Sequence, residues 1–262
     1  MSKNSTVPPP DKPEPSPRLQ IGHWLTTAVL TAVFAGVYSV YLGVVRIPED
    51  YNPWAPLKVA ATPNVLTAYK LQRARGDPAL CFAALAETDL TYERLPNRVT
   101  GAGCGFTDAV LLRQSGVRLG SAVSLSCPMA LSVAMWERHT LQPAATARFG
   151  ESVVALQHLG SYACRNVNTG EGNTPNTGAR SRHSTADALD IAGLTLQSGK
   201  RITLLKDWRA KTATSPPDAS ALLLTDLQQG ACRFFNGVLS PDYNAAHRDH
   251  FHLETGGYSM CR

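Results

Sequence analysis

Two short stretches hold the side chains best able to do chemistry: Ser181-Arg182-His183-Ser184-Thr185-Ala186-Asp187-Ala188-Leu189-Asp190, and His247-Arg248-Asp249-His250-Phe251-His252. In the first, a histidine and an aspartate stand seven positions apart. In the second, His250 and His252 alternate, so on a strand both imidazoles point to one face. Two imidazoles and a carboxylate are a common catalytic zinc set, with three protein ligands and a fourth position left open. A structural zinc would more often take thiolates or four side chains. His183 and Asp190 also fit an ordinary hydrogen-bonded pair, and Asp187 could replace Asp190, since residues four apart share a helical face.

The rest of the chain must position these groups. With 262 residues, 44% of them hydrophobic, it can hold one good-sized core plus appendages. The net charge of +5 is spread out, with none of the Lys/Arg runs or aromatic-basic interleaving of nucleic-acid binders, so no nucleic-acid partner is expected. Six cysteines, Cys81, Cys104, Cys127, Cys164, Cys232 and Cys261, form no CxxC pair. Behind an exporting segment they read as disulfides in an oxidising compartment, although sequence leaves fifteen connectivities open.

That segment is Trp24 to Val45, which contains no charged residue. It is long enough to cross a hydrocarbon core of roughly 30 Å. Trp24, Tyr38 and Tyr41 suit the membrane interfaces, and the run is longer than a signal peptide's apolar region. Lys3, Lys12 and Arg18 precede it, which favours an N-terminus inside. The expected organisation is a disordered cytoplasmic tail over 1–20 and a transmembrane helix over 21–46. A Pro-rich stalk with a linker helix over 47–76 and a folded domain over 77–262 follow.

Within the domain, helices are expected over Pro78–Glu87, Ser126–Leu141, Pro143–Leu159 and Ser220–Phe235. Strands are expected near Leu90–Leu95, Ala188–Leu196 and Arg201–Asp207, and at the end of Tyr243–Leu253. Asn168–Arg180 reads as a long Gly/Asn/Thr loop. The fold class is α+β: N-terminal helices packed on a small antiparallel sheet carrying the zinc site, preceded by a single transmembrane helix.

From Cys81 to Cys261 the chain resembles the extensin-like C-terminal family of bacterial envelope proteins. More distantly it is similar to zinc D-alanyl-D-alanine carboxypeptidases and lysostaphin-type peptidases. The marks are Ser124-Leu-Ser-Cys127-Pro128, Tyr162-Ala-Cys164-Arg165, the Ser181–Asp190 stretch, Val238-Leu-Ser-Pro241-Asp-Tyr-Asn244 and His247-Arg-Asp-His-Phe-His252. The wider pattern Ser-x-His-x-x-Gly-x-Ala-x-Asp is met at Ser181, His183, Ala188 and Asp190, with Ala186 where glycine is usual. The resemblance implies zinc on His183, Asp190 and His252, and Asp249 or His250 as catalytic base. Strand alternation favours His250, but a bulge or strand start would favour Asp249. Arg165 would stabilise an oxyanion, dock a substrate carboxylate or merely form an ion pair. Ser181 would hold a ligand or the substrate, and His247 would lie at the surface or behind a ligand. His23, His139 and His158 read as structural.

The resemblance also implies a peptidoglycan peptidase, cutting stem peptides or cross-links, in the bacterial inner membrane with a periplasmic C-terminal domain. Such a protein could help fit an envelope-spanning machinery into the wall. A second reading is a non-catalytic wall-binding or scaffold module on the same fold, a use the related hedgehog signalling domain illustrates.

Overall fold

The computed structural model describes residues 17–167, 178–209, 216–257 and 259–262. It divides into two compact units, residues 1–51 and 52–262. The expected tail over 1–16 and the loop over 168–177 lie outside the described residues.

In the first unit, helix α1 (Pro17–Tyr41) contains a stretch, His23–Tyr41, long and apolar enough to cross a membrane. Trp24, Leu25, Val29, Phe34 and Val37 are all exposed around it. A helix apolar on every side suits a lipid surrounding, and membrane anchors share that character with signal sequences. It ends five residues before the expected boundary at 46, at a turn where Gly43 takes a left-handed φ of 70°.

The second unit begins within the stretch expected to be a stalk. From Asn52 that stretch is packed rather than extended: Leu57 and Val59 are buried in the core. The Arg73 guanidinium donates to the Pro53 carbonyl at 2.6 Å, and a His139 ring nitrogen lies 2.7 Å from the Val59 carbonyl. Prolines without regular pattern look like a linker, and the long-range contacts that fasten this one are invisible locally.

Helices α2 (Thr67–Gly76) and α3 (Pro78–Ala86) follow. Asp77 caps α3 by accepting from the amides of Ala79 and Leu80, and Pro78 takes the first helical position. Next come β1 (Thr91–Arg94), the hairpin β2 (Arg98–Gly101) and β3 (Cys104–Phe106), then β4 (Ala109–Gln114) and β5 (Val123–Ser126). Ser126 caps α4 (Cys127–Trp136), in which every residue but Pro128 is buried. A π-helical turn, Glu137–Leu141, leads into α5 (Gln142–Phe149).

The chain then enters β6 (Val153–Gly160) where the sequence pattern suggested more helix. Gly150, left-handed at φ 69°, stops α5, and tertiary pairing turns the Val-Val-Ala-Leu run into a strand. The long strand β7 (Ala188–Leu196), β8 (Arg201–Thr203) and the short helix α6 (Leu204–Asp207) come next. Helix α7 (Ala219–Ala231), β9 (Gly237–Leu239), β10 (Phe251–Glu254) and β11 (Met260–Cys261) complete the fold.

The fold is α+β, but its sheets are more numerous and larger than expected. Strands β1-β4-β5 form one sheet and β2-β3 a second. The third has six strands in the order β11-β9-β10-β7-β6, with β8 pairing the far half of β7. All its pairings are antiparallel except β11 on β9. The short strands β5 and β9 escape periodicity arguments because they span only four and three residues. All six cysteines pair, as Cys81–Cys127, Cys104–Cys164 and Cys232–Cys261.

Candidate metal centre

The centre of the six-stranded sheet brings the two histidine-bearing stretches together. In the β7–β10 pairing, Asp190 stands directly opposite His252. His183 comes from the 3₁₀ turn Arg182–Thr185 just before β7. One ligand atom from each of His183, Asp190 and His252 lies within 4.8 Å of the others. His183 Nε2 is 3.2 Å from the Asp190 carboxylate and 3.1 Å from His252 Nδ1, and His252 Nδ1 is 3.0 Å from Asp190 Oδ1. His183 and His252 are buried and Asp190 nearly so.

The remaining ring nitrogens are committed elsewhere. His183 Nδ1 lies 2.5 Å from the Ser161 carbonyl, which can only accept, so Nδ1 carries the proton and Nε2 presents a lone pair. His252 Nε2 lies 3.0 Å from Glu254 Oε2, so it donates outward while Nδ1 faces the cluster. A lone pair, an imidazole nitrogen and a carboxylate in such close approach repel one another unless a cation lies between them. A proton or a metal ion satisfies that demand, and two outward donors held by a carbonyl and a carboxylate are the usual supports of metal-binding imidazoles. The residues therefore fit a zinc-type ion through His183 Nε2, Asp190 and His252 Nδ1.

With a proton as the cation, His252 holds it. Burial alone would lower its pKa, but hydrogen bonds with Asp190 and Glu254 outweigh burial and push it up to about 9. For Asp190, burial alone would raise the carboxyl, yet the adjoining imidazoles, with the proton on His252, hold it well below the usual carboxylate range. A histidine raised from 6.5 to about 9 stabilises the fold fully below pH 6.5 and loses that contribution as pH climbs through 9. Protein stripped with a chelator should thus melt at lower temperature as pH rises across that window. Zinc should remove the dependence and release a proton near neutral pH, which calorimetry in two buffers of different ionisation enthalpy would record.

Ser181 acts locally: its side-chain oxygen accepts from the His183 amide at 3.3 Å and starts the 3₁₀ turn. The turn closes at Ala186, left-handed at φ 58°, the position where glycine was expected; alanine is tolerated there at a cost of about 1 kcal/mol. Ser161 to Asn166 runs beside the turn, with the Ala163 amide donating to the His183 carbonyl and the Ser181 amide to the Arg165 carbonyl. That places Arg165 near the cluster. Its side chain is exposed, no ion pair engages it among the described residues, and its charge is one of those that lower His247.

His250 lies just before β10, with Nε2 3.7 Å from Asp190 Oδ1. Asp249 faces away from the cluster and bonds the other nitrogen of the same ring, Oδ1 to Nδ1 at 2.8 Å. The Asp249 carboxylate and the His250 ring thus form one hydrogen-bonded pair whose imidazole is the part near Asp190.

Three contributors lie outside the residues singled out from the sequence. Ser161 acts only through its backbone. Glu254, two residues after His252, shares that histidine's face by strand alternation, which the spacing alone implies. Gly237 lies opposite it, where a Cβ would meet Glu254 Cγ at 2.4 Å. Glu254→Gln, whose neutral amide oxygen accepts the His252 Nε2 hydrogen bond without a negative charge, should lower zinc affinity roughly 10- to 100-fold in a chelator competition. His247 is drawn in as well, its ring 5.2 Å from that of His250 and 5.8 Å from that of His252. Asn244 Oδ1 accepts from its Nδ1 at 2.7 Å, and burial with the nearby histidine charges lowers its pKa to about 4.

Residues 79–262 match the family described as extensin-like protein C-terminus. The chain belongs to the extensin-like C-terminal family. The match spans every residue of the cluster, from the Cys104–Cys164 bridge to His252, and stops short of α1 at the N-terminal side. No curated protein and no solved structure matches this extensin-like chain.

Proposed function

We propose that the protein is a membrane-anchored, zinc-dependent peptidoglycan peptidase, D,D- or L,D-specific, acting on stem-peptide or cross-link amide bonds in the periplasm. The observation that carries this reading is the convergence of His183 Nε2, Asp190 and His252 Nδ1 with both outward nitrogens already taken. Three ligands leave a coordination position for substrate or water, the pattern of catalytic rather than structural zinc. The three disulfides and the apolar α1 support an exported domain on an inner-membrane anchor.

Zinc held by the triad would supply a Lewis acid that polarises the scissile carbonyl and acidifies water. His250 Nε2, directed at the cluster, takes the proton from the attacking water and returns it to the leaving amine. Asp249 accepts from His250 Nδ1, which fixes the tautomer and steadies the positive charge while the proton is held. Arg165, unpaired among the described residues, meets the developing oxyanion or a substrate carboxylate. Ser181 keeps the His183 turn in place.

The test is digestion of purified peptidoglycan by zinc-loaded protein, read by mass spectrometry of the muropeptides, beside His250→Ala. New peptide products that vanish in the variant support the reading. One bound zinc with no product from any muropeptide would transfer it to a wall-binding module.

A further inference from the structure

The first residues of the folded unit carry a face that is exposed among the described residues. Trp54 is 73% exposed, Val65 88% and Tyr69 50%. On α2 and its lead-in, Val65, Ala68, Tyr69, Gln72 and Gly76 follow helical spacing and are exposed and uncharged, while Lys70, Leu71 and Ala74 are buried on the other side. Arg73, one turn after Tyr69, donates to the Pro53 carbonyl, which seats Trp54 beside that face.

Two further facts indicate what covers it. From Tyr51 to Gly76 there is no Asp or Glu, and the cations there that reach the surface are the exposed Lys58 and the half-buried Arg73, while Lys70 is buried and Arg75 bonds inward to Asn236. Ten residues, Leu42 to Tyr51, separate α1 from the folded unit, a reach of at most about 35 Å when fully extended. Tryptophan and tyrosine with one apolar and one polar edge favour the headgroup level of a bilayer, and basic residues are attracted to an anionic surface. We infer that the Trp54–Val65–Tyr69 face docks on the anionic bilayer in which α1 sits, so that the domain is held against the lipid at two places. This rests on the reading of α1 as an anchor.

The test uses the full chain in vesicles of phosphatidylethanolamine and phosphatidylglycerol, with acyl chains either plain or brominated near the headgroup. Trp24, in α1, reports the anchor. A Trp24→Phe variant leaves Trp54 beside the buried Trp136 and the half-buried Trp208. Bromination is expected to abolish most of the emission that Trp54→Phe removes from that variant, and Val65→Ser with Tyr69→Ser should reverse the loss. Quenching in the unmodified chain that disappears completely with Trp24→Phe would overturn the docking while keeping the anchor. No quenching in either would overturn the anchor and the docking with it. Unquenched Trp54 emission that shifts to the blue with rising protein-to-lipid ratio would assign the face to a second copy of the chain and overturn the lipid assignment.

Discussion

Alanine at Asp190 is expected to abolish zinc retention and wall hydrolysis together, whereas alanine at His250 should leave zinc bound and lower kcat by roughly 100- to 10 000-fold. Among the described residues Asp190 is the anionic group that both imidazoles face, at 3.2 Å from His183 Nε2 and 3.0 Å from His252 Nδ1. Removing it leaves two buried nitrogens with no negative partner. The loss in metal affinity should exceed the roughly 100-fold typical of supporting residues. His250, at 3.7 Å from Asp190, approaches the cluster without forming its closest contacts, so its removal spares the ion. Zinc stoichiometry beside muropeptide turnover separates the two effects. Full zinc occupancy in Asp190→Ala would sink the triad assignment, and undiminished turnover in His250→Ala would sink its role as base.

Replacing Cys104 and Cys164 by serine is expected to lower the melting temperature by roughly 8 to 16 °C. The bond closes a loop with a sequence separation of 60, for which the constraint on the unfolded chain is worth about 4 kcal/mol. Cys232–Cys261, separated by 29, should contribute about 0.6 kcal/mol less. The Cys104–Cys164 bridge also has a local role. It fastens the β2–β3 hairpin to the segment that carries Ser161 and Arg165, and the Ser184 hydroxyl reaches the Gly103 carbonyl from the His183 turn. The double variant should therefore lose zinc affinity even where it remains folded, as scanning calorimetry and a chelator competition on one preparation would reveal. Equal melting of parent and variant would contradict the constraint argument.

Much of the centre was legible in the residues alone. His183, Asp190 and His252 announce themselves by type, spacing and order, and strand alternation puts His250 and His252 on one face because side chains on a strand repeat every two residues. The apolar run of α1 is equally local, since hydropathy over about twenty residues needs no partner to be recognised. The length of β7 and the caps of α3 and α4 follow from neighbouring residues in the same way.

The remainder depended on residues far apart in sequence. Prolines in the 52–63 stretch suggested a stalk, but Leu57 and Val59 join the buried core, and the Val59 carbonyl meets the ring of His139, 80 residues on. Val153 to Leu159 could have continued a helix, and pairing with β7 made it a strand. Disulfide partners are set by which Cβ atoms the fold brings close, not by spacing. The relation of Asp249 to His250 could not be settled by type, because either can accept a proton. Only the start of β10 places one ring towards Asp190 and the other carboxylate behind it. Local periodicity thus determined which residues could bind a metal, and the long-range pairing of β7 with β6 and β10 decided which atoms of those residues point inward.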